Sequence, residues 1–261
     1  MKLHRVRALL LKYYYITINR IDRWSDIFYW PILDIFIWGF MTVYIQKHSD
    51  LNIMNLVLGG IILWLFIWRA AQDMAVFVLE DFWSRNLYNL FTSPVMLKEI
   101  VISIMILGAV RSVLAFCFVG LLAYVLYQFS ILTVGILFLG LFAAVLIMFA
   151  WALGLFISSF IMRYGSRVQI LAWSIVWIIQ PFSCIFYPLS ALPEWARYIA
   201  SVIPTTYVFE NFRSLMASGT VDYFSLGRSA VIAVIFFMLS SLFFHNSFKA
   251  AKKHGLLSKN E

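Results

Sequence analysis

The chain has 261 residues, 63% of them hydrophobic, 18% aromatic and only 12% charged, with a formal net charge of +8 and a mean hydropathy of +0.90. That balance excludes a soluble globular domain and makes the chain an integral membrane protein. The basic residues are split among short flanks rather than massed on one soluble face, which argues against a nucleic-acid partner and for topology and lipid contact.

Residues 1–26 begin basic and run through "ALLL", but "KYYY" cuts the apolar run short and no small-residue cleavage site follows. They therefore do not read as a signal peptide. At about 100° per residue on a helix, Lys2, Arg5, Lys12, Asn19, Arg20 and Arg23 fall within one stripe, with Arg7 outside it. Leu3, Val6, Leu10, Tyr13 and Ile16 lie away from that stripe. The pattern predicts a helix over 1–26 lying flat in the cytoplasmic interface.

Six stretches are apolar over roughly the 20 residues needed to cross a bilayer. They cover 28–46, 53–79, 100–127, 131–161, 170–186 and 224–248. No ten-residue blocks of alternating hydrophobicity occur, so the expected class is all-α, with six transmembrane helices, rather than an outer-membrane barrel. Charges inside these spans are Asp34, Arg69, Asp73 and Arg111. Arg69 and Asp73 are spaced i,i+4 and can neutralise each other. Asp34 and Arg111 either pair with each other or sit near an interface, because an unpaired charge in the bilayer is expensive. Cys117 and Cys184, each inside an apolar run, form no disulfide framework or metal-ligand cluster and are expected as small buried hydrophobes.

Two connections stand out. The first is "LEDFWSRNLYNLFTSPVMLKEI" (79–100), which opens with Glu80 and Asp81 and carries Trp83, Leu87, Tyr88, Leu90 and Phe91 at helical spacing before stopping at Pro94. A short amphipathic helix is expected there, its aromatics either resting on the bilayer or docking into a soluble partner. The second is "YPLSALPEWARYIASVIPTTYVFENFRSLM" (187–216), with Pro188, Pro193 and Pro204 breaking the chain at membrane depth. Freed backbone groups are tolerated in lipid only where protein covers them or a wet cavity adjoins them, so this break marks a lined pathway. Between the prolines, Trp195, Tyr198, Ile199 and Val202 recur at i, i+3, i+4 and i+7, giving a short helix able to cap an exit.

Lysine and arginine counts set the orientation. The N-terminal flank, Arg85 and Lys98, Arg163 and Arg167, and the C-terminal lysines lie on one side. The other side has Lys47, Arg197 and Arg213, offset by Glu194, Glu210 and Asp222. Both termini are expected in the cytoplasm of a cell (inner or plasma) membrane protein, with 187–223 outside.

These two connections resemble hallmarks of the permease subunits of ABC-2 type exporters. The stretch from Glu80 to Pro94 is similar to that family's acidic, Leu-rich, Ser/Thr-Pro-ending loop. The stretch 187–216 is similar to its proline-led break, with Leu-Pro-x-Trp, Pro-Thr-x-Tyr (Pro204 to Tyr207) and a Glu-x-x-Arg pair, Glu210 and Arg213. The resemblance spans the whole chain, although Trp83-Ser84-Arg85 stands where many members carry a Gly-Thr-like turn. It implies that residues 80–99 couple to an ABC ATPase and that 187–223, including Glu194 and Trp195, forms re-entrant helices at the outer mouth. It further implies two ATPase subunits that hold ATP and Mg, a second permease copy or close homologue, and export of a drug, lipid or glycoconjugate.

The chain has no phosphate-binding loop, zinc-protease helix motif, nucleophile elbow or dinucleotide loop, so no catalytic residue, cofactor or metal is assigned to it. ATP hydrolysis is expected on a separate polypeptide. Two alternatives remain open. One is a self-contained secondary transporter or channel using the intramembrane charges, and the other is a lipid-modifying enzyme with Asp34, Asp73 or His245 as acid or base.

Overall fold

The computed structural model describes residues 1–48, 54–84 and 93–253, with the backbone alone described at Asp22 and Phe82. Among the described residues are nine α-helices: α1 (Leu3–Ile18), α2 (Ile21–His48), α3 (Met54–Trp83), α4 (Leu97–Tyr127), α5 (Ile136–Tyr164), α6 (Leu171–Ile179), α7 (Glu194–Val202), α8 (Pro204–Ser218) and α9 (Tyr223–Lys253). Five of them, α2 to α5 and α9, are long and apolar enough to cross a membrane. In lipid each backbone N–H and C=O must be bonded within its own segment, so uninterrupted helix is what such runs dictate. The fold is all-α and polytopic.

The fifth apolar stretch departs from the expected span over 170–186. It forms α6, then a 3-10 turn over Gln180–Ser183, then a left-handed residue at Cys184 (φ +54°). Apolar helix covers only Leu171–Ser183, which at about 1.5 Å per residue reaches about 20 Å, short of the hydrocarbon core of about 30 Å. Pro181 has no N–H for the carbonyl of Trp177, and the last turn tightens accordingly. The bundle therefore has five full-length helices and one broken element. The expected helix over 1–26 is likewise divided: α1 ends at Ile18, and Ile21 already opens α2.

Chain reversal gathers α1, the end of α3 and the start of α4 at one end of the bundle, shown by Lys12 reaching Asp81 and Lys2 reaching Glu99. At the opposite end, the stretch after α6 and helix α8 meet α2 and the start of α3, where Trp38 stacks on Phe186 and Gly59 abuts Phe212. The central element is α3, with 72% of its apolar window buried against 22–44% for the other long helices. Its closest neighbour is α5, where Gly154 lets the two backbones approach: a Cβ there would collide with the Cβ of Met74 and lie 3.0 Å from the Ala71 carbonyl oxygen. Small residues at such crossings are what lets helices associate in lipid, where no hydrophobic effect separates helix from solvent.

Gly154→Ala is expected to destabilise the purified chain by about 1–3 kcal/mol through overpacking, read as a lower melting temperature in detergent. Gly140→Ala on the same helix, where an added Cβ meets nothing within 4 Å, should leave melting unchanged. Equal melting of both variants would refute the close crossing.

Candidate functional site

Every fourth residue of the second half of α3 lies on one face: Arg69, Asp73, Phe77 and Asp81, with Glu80 beside the last. This stripe organises the α1 end of the molecule. Arg111 of α4 places Nη1 2.6 Å from Asp73 Oδ1, and Arg69 sits 3.5 Å from the same oxygen. Asp73 is 0% exposed and both arginines 2%, so this is an ion triad removed from both water and lipid. Arg69 also donates to Gln72 Oε1 at 2.8 Å, donates to the backbone carbonyl of Asp26, and lies 3.9 Å from the Asp26 carboxylate. Arg111 donates to the backbone carbonyl of Arg23 at 3.1 Å. The triad thereby ties α2, α3 and α4 into one register.

This geometry corrects one expectation and meets another. Arg111 pairs with Asp73 and not with Asp34. Arg69 and Asp73 do form their i,i+4 pair, but the shorter contact to Asp73 comes from α4. Among the described residues Asp34 forms no hydrogen bond or ion pair, and it is half-buried on α2.

One turn nearer the α1 end, the Arg23 guanidinium lies 4.5 Å from the centre of the Phe77 ring and ion-pairs with Glu80. Arg20 reaches Glu80 at 3.0 Å, and Lys12 reaches Asp81 at 2.9 Å. The Tyr13 hydroxyl donates to Asp81 at 3.4 Å. Burial, and then the adjacent Asp81 carboxylate, push the Tyr13 phenol well above its ordinary range, so it remains a donor at any physiological pH. The inward line of α1 is Val6, Leu9, Tyr13 and Thr17, and the basic groups beside it reach carboxylates from its edge. Arg23, expected at the interface, is 2% exposed, whereas Leu3, Leu11, Tyr14 and Tyr15 face outward.

At its other end α1 meets the start of α4. Glu99 accepts the Lys2 backbone N–H at 2.8 Å and the Met96 N–H at 2.9 Å, with Arg5 3.8 Å away. Glu99 was not singled out from the sequence, although its place in the first turn of α4 suits a carboxylate facing unpaired N–H groups. Of the residues expected to couple to a partner, Glu80 and Asp81 are therefore held inward by α1 and α2. Trp83 is half-exposed at the end of α3, and Pro94 lies in an exposed turn. Leu87, Leu90 and Phe91 lie outside the described residues. A cavity of about 680 Å³, lined in part by Tyr15, Asn19, Phe77, Trp83 and Ser84, opens between α1 and the end of α3.

At the opposite end, Glu210 and Arg213 fasten the break. Arg213 donates to the carbonyls of Cys184 (2.9 Å) and Tyr187 (3.0 Å) and pairs with Glu210 at 2.9 Å. Glu210 accepts the Leu189 N–H at 2.6 Å. The prolines sit where helices begin: Pro188 before a 3-10 turn, Pro193 ahead of α7 and Pro204 as the first residue of α8. Glu194 takes the first turn of α7, and the Tyr207 hydroxyl donates to the Ser201 carbonyl at 2.7 Å. Ala196 and Ala200 pack inward, while Trp195, Tyr198, Ile199 and Val202 are exposed. The face expected to cap an exit is thus mostly open, with Trp195 meeting a ring of the bundle, Phe182, at 6.1 Å between centroids. Cys184 is buried as expected, but Cys117 is exposed on α4.

Asp73→Asn leaves Arg69 and Arg111 buried without their shared carboxylate and is expected to destabilise the chain by roughly 3–5 kcal/mol. Arg111→Gln should cost less, because Arg69 still faces Asp73, and the double variant should be more stable than the sum of the singles. Asp34→Asn combined with Arg111→Gln should be additive within about 0.5 kcal/mol. Thermal unfolding of wild type, the single variants Asp34→Asn, Asp73→Asn and Arg111→Gln, and the two double variants checks all of this, and coupling between Asp34 and Arg111 would contradict the assigned pairing.

No curated protein matches the chain. A model of the family described as ABC-2 type transporter matches residues 9–217, from the middle of α1 to the end of α8, and so takes in both the ion stripe and the fastened break. The chain belongs to the ABC-2 type transporter family.

Proposed function

We propose that the chain is the permease of an ATP-driven exporter that moves an amphipathic or lipid-linked substrate out of the cytoplasm, with ATP and Mg held by two separate ABC ATPase subunits. The α1 end faces the cytoplasm, following the lysine and arginine bias of its flanks, and a second copy or close homologue completes the pathway. The ATPases dock on the segment between α3 and α4, whose Trp83, Leu87 and Phe91 repeat at i, i+4 and i+8.

The observation that carries this reading is the way α1 spans the two roots of that segment. Asp81, where α3 ends, is held by Lys12 and Tyr13, and Glu99, where α4 begins, is held by the Lys2 N–H and Arg5. A push on the segment is then delivered to α3 and α4 as one body rather than dissipated at two independent hinges. From α3 and α4 it passes through the Arg111–Asp73 contact to α2.

Ala replacement of Trp83, Leu87 and Phe91 removes aromatic and aliphatic anchors worth roughly 1–4 kcal/mol each at an interface. The triple variant should insert normally yet lose co-purification of the ATPase, and equal recovery from wild type and variant would sink the docking assignment. Asp81→Asn with Glu99→Gln should behave differently, retaining the ATPase while transport per ATP hydrolysed falls. For orientation, Ser190→Cys should react with a membrane-impermeant thiol reagent in intact cells, while tags on both termini stay protected.

A further inference from the structure

We propose that Asp34 is a substrate-selecting residue of the transport path, and that it selects molecules carrying an organic cation. This rests on the transporter reading above and names the substrate class for it.

Asp34 differs from the other described carboxylates of α2, α3 and α4. Asp26, Asp73, Glu80, Asp81 and Glu99 each meet a basic side chain. Asp34 lies midway along a membrane-length helix with no hydrogen-bond or ion-pair partner among the described residues. An ionised carboxylate is costly against hydrocarbon, so Asp34 carries its charge only where water or an arriving cation meets this edge of α2.

The helix geometry says which edge it is. Ile27, Pro31, Ile35 and Thr42 form the packed line of α2, and Trp30, Ile37 and Met41 are exposed. Asp34 lies between these two lines. On the far edge, Phe28 packs on Phe118 and the Tyr127 hydroxyl bonds the Ile35 carbonyl, so that side belongs to α4. On the near edge, Trp38 stacks on Phe186 with centroids 4.2 Å apart. Trp38 follows Asp34 by one helical turn, so Asp34 sits just beneath the broken segment that closes the opposite end of the bundle. Trp30 precedes it by one turn.

The site therefore offers one carboxyl group with no counter-ion among the described residues, with an indole one turn below and an indole stacked on a phenyl ring one turn above. That combination attracts organic cations through charge and through the ring faces together, and it repels anions. Arg111 cannot quench it, because Arg111 is engaged by Asp73 at 2.6 Å.

The test is ethidium binding to the full chain in lipid nanodiscs, followed by fluorescence, with carboxyfluorescein as the anionic counterpart and empty nanodiscs as baseline. Wild type should bind ethidium saturably and carboxyfluorescein not at all. Asp34→Asn should weaken ethidium binding about tenfold or more, the loss of one charge-assisted contact, and Asp34→Glu should restore most of it. Should Asp34→Asn not assemble, ethidium should still protect wild-type Asp34 from carbodiimide modification. Equal affinity of wild type and Asp34→Asn, or binding of carboxyfluorescein as tight as ethidium, would overturn the proposal. The assay contains neither ATP nor ATPase, so a negative result leaves the coupling assignment standing, and failed ATPase co-purification leaves the binding result standing.

Discussion

No charge in this bundle can be left to hydrocarbon, and the arrangement of the α1 end follows from that constraint. Arg69, Asp73, Phe77 and Asp81 bring charge down one face of the most enclosed helix, so the neighbouring elements must present complementary groups at matching heights. Arg111 does so from α4, the Asp26 carbonyl and the Arg23 guanidinium from α2, and Lys12 and Tyr13 from α1. Such buried pairs are weak evidence for stability, because desolvation offsets much of their Coulombic gain. Their effect is on register. A one-turn slip of α4 against α3 would move Arg111 about 5–6 Å along the axis and strand both it and Asp73.

The membrane class, the all-α architecture and the five long helices, α2 to α5 and α9, were legible from runs of apolar residues, because backbone satisfaction in lipid leaves a single local solution. The fifth stretch was misjudged for a local reason. Hydropathy averages over Pro181, yet that one missing N–H ends the helix at Ile179 and starts the break well before Pro188. The partner of Arg111 was not legible. Periodicity places Arg69 and Asp73 on one face but says nothing about which helix lies opposite, and Asp34 and Asp73 were equally available candidates. The basic stripe over 1–26 was legible as a stripe, but periodicity does not say which groups it meets. Its carboxylate partners at 80, 81 and 99 are far off in the sequence, Arg20 reaching Glu80 across 60 positions and Lys2 reaching Glu99 across 97.

At the other end, the Glu-x-x-Arg spacing acquires a physical reason. Cys184 and Tyr187 lie in chain that has left helical geometry, and their carbonyls need donors. A guanidinium can meet both carbonyls and Glu210 from one rigid fork, whereas a lysine ammonium would approach them as a single point. Glu210 in turn orients that fork and accepts the Leu189 N–H. The pair therefore substitutes for the hydrogen bonds that the interrupted helix cannot make, which lets α7 and α8 turn back without leaving orphaned backbone.

The two ends are not independent, because α3 reaches both. Its last turns carry Glu80 and Asp81 into the α1 clamp. Near its start, an added Cβ on Gly60 would lie 3.1 Å from the carbonyl oxygen of Ile185, and Gly59 abuts the Phe212 ring. The absence of side chains at 59 and 60 brings the broken segment directly against the helix backbone, so α3 cannot slide or tilt without displacing the stretch that Arg213 and Glu210 fasten. Coupling across the membrane requires a contiguous element on which both ends act. A 30-residue helix clamped by ion pairs at one end and by backbone contact at the other meets that requirement more directly than any route through the peripheral helices.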